Sequence, residues 1–200
     1  MCTGNCSKFI GAALYPFSGL CILCNILLLF PDWKLEAVQD PSEKLTAEVL
    51  YLGGVFGSGL MVLLSAIAIQ CVGRRGKCNN RCGMFASIFL AGVAVCGSVY
   101  GFATSLLGLV NGPQCYYKFL SGNQRWTAPF KMDLEYLELK RSYLFHKEVW
   151  TRCTLPAGVV EFNIILFSTI MVASAIQIVL CLIQMINGLF GCLCGTCQKR

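Results

Sequence analysis

Four long stretches without a charged residue decide what this chain can become. Residues 9–31, 49–73, 83–117 and 162–198 contain no Asp, Glu, Lys or Arg. A helix needs about 20 mainly apolar residues to cross the hydrocarbon core of a bilayer. Each run meets that length, and no other stretch of the chain comes near it. A segment in lipid must satisfy its own backbone N–H and C=O groups, and a helix does so within itself. The sequence therefore predicts an all-α membrane protein with four transmembrane helices. The composition agrees: of 200 residues, 56% are hydrophobic and only 13% charged, about half the charge of a soluble domain. The first run is not read as a cleavable signal. It is long, lacks a small-x-small cleavage site and is followed directly by Phe30-Pro31-Asp32-Trp33.

The expected divisions are an N-terminus at 1–8, a first span at 9–31 and a small loop at 32–48. A second span at 49–73, a basic loop at 74–83 and a third span at 84–110 follow. A large loop at 111–161, a fourth span at 162–191 and a tail at 192–200 complete the chain. The basic loop holds Arg74, Arg75, Lys77 and Arg81 and no acid, whereas the small loop is acidic. Short basic loops stay cytosolic, so both termini are expected in the cytosol and both remaining loops outside. The seven cations of residues 111–161 do not weigh against this, because long loops follow the charge rule less closely. Asn5-Cys6-Ser7, a glycosylation match, then lies on the wrong side for a glycan. The formal net charge of +6 does not indicate a nucleic-acid partner, since the cations are scattered between apolar runs rather than gathered on one face.

The large loop contains two cysteines, Cys115 and Cys153. Outside the cell such a pair survives as a disulfide, and closing the loop contributes about 4 kcal/mol in the chain-entropy account. Between them, "KMDLEYLELKRSYLFHKE" places Leu134, Leu137 and Leu144 at helical spacing, and an amphipathic helix is expected there. Within the spans, Gly53 and Gly57, then Gly97 and Gly101, form small-xxx-small pairs that let helix backbones approach closely. They suit packing inside the bundle, with a homo-oligomer face as the alternative. Gln177 and Gln184 lie seven apart on one helix face, with Asn187 close to that line. Interhelical hydrogen bonding is the plain role for them. A polar path for a small-solute channel or transporter is the rival, although no ionisable residue sits within a span to run a proton relay.

Cys2, Cys6, Cys78, Cys82, Cys192, Cys194 and Cys197 fall at or near the cytosolic boundary. A reducing compartment disfavours disulfides there. Juxtamembrane cysteines beside basic residues are the setting for S-palmitoylation, which is the leading expectation. Unmodified thiols and a zinc site remain as alternatives, though the irregular spacings form no pair of zinc knuckles. Cys21, Cys24, Cys96 and Cys181 lie deeper and read as small apolar residues, and Cys71 is at the border. No catalytic constellation, phosphate loop or dinucleotide fingerprint is present, and His146 is the only histidine. The chain is not expected to be an enzyme, and no cofactor or metal is implied.

Several stretches are familiar in combination. "MCTGNC", "NILLLFPDW", "GGVFGSGLMVL", "GLVNGPQC", "FNIILFS" and "CLIQMINGLFGCLCGTC" occur in order along nearly the whole chain. Together they resemble the L-six antigen family of the four-transmembrane superfamily. The resemblance implies a plasma-membrane tetraspan protein that associates laterally with integrins, tetraspanins or receptors, with roles in adhesion, motility and growth. Cys115 and Cys153 match the family's loop cysteines. Tetraspanins proper have a Cys-Cys-Gly loop motif that this chain lacks, and claudins carry their signature in a first outside loop that here has no cysteine. The expected function is that of a non-enzymatic tetraspan organiser whose partners are membrane lipids and other integral membrane proteins. An accessory subunit of a receptor or enzyme is not separable from this by sequence.

Overall fold

The computed structural model describes residues 3–30, 46–73, 81–118, 124–131 and 143–194. Helix α1 is Thr3–Leu28. The second span starts with α2 (Ala47–Leu50), continues as a π-helix (Gly53–Met61) and ends as α3 (Val62–Gly73). Helix α4 (Arg81–Asn111) leads into strands β1 (Cys115–Lys118) and β2 (Gln124–Thr127). A 3-10 turn (Tyr143–Phe145), α5 (Lys147–Trp150), β3 (Cys153–Leu155) and α6 (Val159–Cys194) follow. Among the described residues, four helices are long and apolar enough to cross a membrane.

The helices run past the charge-free segments. α1 takes in Lys8, α4 begins at Arg81 and α6 takes in Glu161. With 36 residues, α6 is about 54 Å long at 1.5 Å per residue, well beyond the roughly 30 Å of hydrocarbon. Charges at the ends of such helices reach the headgroup layer. The four spans form a ring in which α1 packs on the second span, the second span on α4, α4 on α6, and α6 on α1. Thr3 and Asn187 meet at one end of this ring, so the start of α1 and the end of α6 lie there. The loop elements gather at the other end.

The bundle is inside-out compared with a soluble one. Phe85, Phe89, Leu64 and Leu193 stand exposed on its outside, while Ser7, Ser58, Ser87, Ser98 and Ser174 are buried within it. Lipid tails are as apolar as leucine, so large apolar side chains gain nothing by turning inward, and small residues allow close helix contact. Two apolar clusters complete the interior. One, toward the loop end, is built on Leu28, Val49, Leu109 and Phe167. The other, toward the terminal end, is built on Leu14, Val62, Ile69 and Ala91.

The second span departs from the single helix expected over 49–73. Leu52 adopts a left-handed conformation with φ 49° and ψ 34°, which separates α2 from the π segment. That segment contains Gly53, Gly54, Gly57 and Gly59, all buried. They face α1 on one side and α4 on the other, and the absent side chains let a wider helical turn fit between two neighbours. π-helical stretches are uncommon and mostly a single turn; no apolar periodicity announces one.

The large loop adds a three-stranded antiparallel sheet, order β2-β1-β3. Tyr116 pairs with Trp126 on one side and Leu155 on the other. The amphipathic helix expected over "KMDLEYLELKRSYLFHKE" lies mostly outside the described residues, including Leu134 and Leu137. In the described part, around Leu144, a 3-10 turn and the separate α5 stand instead of one helix. His146 between them has φ −116° and ψ 80°, which is not helical.

Candidate functional site

The residues singled out in the spans meet at the helix crossings. A Cβ added to Gly57 would lie 2.6 Å from the carbonyl oxygen of Gly97, and one on Gly97 would lie 2.6 Å from that of Gly57. The two backbones are therefore in direct contact. One turn further toward the loop end, Gly53 faces Thr104 and Gly101 faces Ser58. All four glycines join the second span to α4. Gly108 extends the pattern on α4, with the ring of Phe167 from α6 resting on it.

The amides lie on the inward face of α6. Gln177 Nε2 donates to the Ser58 carbonyl at 2.9 Å, and its Oε1 accepts from Ser98 Oγ at 3.3 Å. It thus ties α6 to the second span and to α4. Two turns on, Gln184 Nε2 donates to Ser7 Oγ at 3.0 Å and Ser87 Oγ at 3.2 Å. Asn187 Nδ2 donates to the Thr3 carbonyl at 3.0 Å and Ser7 Oγ at 2.9 Å. This second group ties α6 to α1 and α4. Both glutamines are fully buried. The serines they meet were not singled out in the sequence, because serine in a membrane helix also bonds to its own preceding turn. Ser98 and Ser87 in fact do both.

At the loop end, Cys115 and Cys153 are joined by a disulfide with Cα atoms 5.6 Å apart, tying β1 to β3. Below the sheet, Phe130 stacks on Tyr143 at 4.5 Å between ring centroids. The Tyr143 hydroxyl donates to the Leu109 carbonyl at 2.7 Å, which fixes the loop to the end of α4. Burial pushes the phenol well above its usual ionisation range. Gly112, at φ +68°, turns the chain here, with Phe130 and Tyr143 pressed against it. Trp150 Nε1 donates to the Tyr143 carbonyl at 2.8 Å. On the opposite sheet face, Tyr116 and Trp126 pack with centroids 6.2 Å apart, beside the exposed Leu155.

The boundary cysteines are only partly visible. Cys82 is exposed on the first turn of α4, and Cys6 and Cys192 are half-buried on α1 and α6. Cys194 is the last residue of α6. These four lie at the end of the bundle where α1 starts and α6 ends. Cys2, Cys78 and Cys197 lie outside the described residues. Among the deeper thiols, Cys21, Cys24 and Cys181 are buried, whereas Cys71 and Cys96 are exposed on the outer surface of the helices. Among the described residues, no group of three or more histidine, cysteine or carboxylate side chains is placed to hold a metal.

A family model described as L6 membrane protein matches residues 1–198. Transmembrane 4 L6 family member 4 of Rattus norvegicus is 38% identical over 206 residues, covering 99% of this chain and 95% of that protein. Member 5 of the same family from Bos taurus is 36% identical over 205 residues, covering 100% and 97%. Member 1 from Homo sapiens is 35% identical, covering 98% and 96%. No solved structure matches the chain.

Proposed function

This chain belongs to the L6 membrane protein family, and from that premise we propose that it is a non-enzymatic organiser that associates laterally with other integral membrane proteins. The observation that carries this reading is the use made of the buried amides. Gln177 and Gln184, both fully buried, direct their N–H groups to neighbouring helices. Polar groups that hold helices together do not line a solute path. Contacts with partners then fall to the apolar outer surface of the spans and to the sheet of the large loop. The proposed setting is the plasma membrane, with the termini in the cytosol and the disulfide-closed loop outside. In that setting Cys82, Cys192 and Cys194, with Cys2, Cys6, Cys78 and Cys197, are proposed acylation sites. For a chain that already spans the membrane, acylation changes which lipid and protein neighbours it prefers, at about 0.8 kcal/mol per buried CH₂. Adhesion, motility and growth signalling are the processes such assembly would serve.

The test is quantitative mass spectrometry of proteins retained by the full chain in mild detergent. Wild type is compared with a variant carrying Cys192→Ser, Cys194→Ser and Cys197→Ser at equal surface level. Membrane proteins retained by wild type and depleted at least severalfold in the variant support the organiser. Retention at background by both forms, together with solute flux through purified vesicles, overturns it in favour of transport.

A further inference from the structure

Beside the disulfide, where α6 begins, the surface folds into a pocket of about 470 Å³. That size is within the roughly 300–1,000 Å³ of small-ligand sites. Its wall includes Lys147, Trp150, Thr154, Val159 and Glu161. Three features define what it suits. The first is charge: the wall carries one exposed cation, Lys147, and one exposed anion, Glu161, which favours a ligand with both signs. The second is the indole. Lys147 Nζ stands 5.7 Å from the centroid of the Trp150 ring, so this face already carries a cation, and aromatic faces hold quaternary ammonium groups in the same way. The ring itself is held by its bond to the Tyr143 carbonyl. The third is depth. Glu161 is the last charge before the run 162–198, so the pocket opens at the level of the lipid headgroups, where tryptophan is enriched. Below Glu161, on the same face of α6, Ile165, Val172 and Val179 are exposed and offer an apolar track for an acyl chain.

We propose that this pocket binds the headgroup of a zwitterionic phospholipid of the phosphocholine type. The quaternary ammonium sits against Trp150 and Glu161. Lys147, a long flexible cation, yields the ring to it and takes the phosphate. An anionic headgroup has no partner for Glu161 and is repelled by it. In the proposed orientation this pocket faces the outer leaflet, away from the anionic lipid of the cytoplasmic one. The proposal rests on the membrane-spanning fold and not on lateral association, so either can fail without the other.

Native mass spectrometry of the full chain in detergent tests it. The probes are a short-chain phosphatidylcholine, a phosphatidylglycerol of the same chain length, and soluble phosphocholine. Wild type is expected to hold the phosphatidylcholine about tenfold more tightly than the phosphatidylglycerol. Glu161→Gln narrows the gap severalfold, and Glu161→Lys reverses the preference. Both substitutions are at an exposed residue, and an unchanged thermal midpoint with the disulfide intact confirms the fold. Equal retention of both lipids by wild type overturns the proposal, and so does an unaltered preference in Glu161→Lys. Soluble phosphocholine binding as tightly as the lipid overturns the assignment to a membrane headgroup.

Discussion

Gly57 and Gly97 are each in place because the other's carbonyl oxygen occupies the position of a side chain. Gly57→Val is expected to force the second span away from α4 and cost at least 1–3 kcal/mol, about the range for overpacking. A lower unfolding midpoint in detergent is the readout, and Gly92→Val, where an added Cβ meets nothing within 4 Å, is the control. Gln177→Leu removes the bond to the Ser58 carbonyl and the acceptor for Ser98; about 0.6–2 kcal/mol is the expected loss, measured by denaturant titration in micelles. Tyr143 gives a prediction in pH. A tyrosine in an unfolded chain ionises near 10.0, and burial raises the folded value above this. The folded state thus keeps a proton that the unfolded state gives up. The stability it contributes is complete below pH 10 and declines as pH rises above it. Tyr143→Phe should flatten that alkaline decline while losing the bond to the Leu109 carbonyl, at about 1 kcal/mol. At this scale the sequence was half legible. A glutamine amid leucines stands out because its amide needs a partner, and the glycine pairs stand out by spacing. Their partners, Ser58, Ser98, Ser7 and Ser87, look like any other small residues until the helices are placed.

Among the elements, those dictated by the solvent were readable and those dictated by a neighbour were not. Four apolar runs of this length read as helices because a helix satisfies its backbone within a single span. The π turn of the second span depends on two flanking helices that press on its glycines, and no local pattern encodes a neighbour. The sheet was hidden for a similar reason. "CYYK", "QRWT" and "CTL" are three or four residues each, too short for an alternation to be counted, and they become strands through β1 pairing with both others. The disulfide holds that arrangement, and Cys115→Ser with Cys153→Ser should destabilise the loop by about 4 kcal/mol. Limited proteolysis is the measurement: cleavage within the loop should appear in the double variant and be absent in wild type, while the spans stay protected in both.

For the whole molecule, the placement of residues departs from the soluble rule: serine and glycine share the interior with two apolar clusters, and many phenylalanines and leucines stand outside. Its stability therefore comes from close backbone contact and a few well-made hydrogen bonds between helices rather than from removing apolar surface from water. The longest of the four spans is α6. α6 starts six residues beyond the disulfide cysteine Cys153 and ends at Cys194, with no proline inside it. It is a lever. For a rod of this length, tilting one end by roughly ten degrees carries the other sideways by about 9 Å. A partner that tilted the loop sheet would carry the far tip, with Cys192, sideways only as far as the bonds from Gln177, Gln184 and Asn187 to the neighbouring helices gave way.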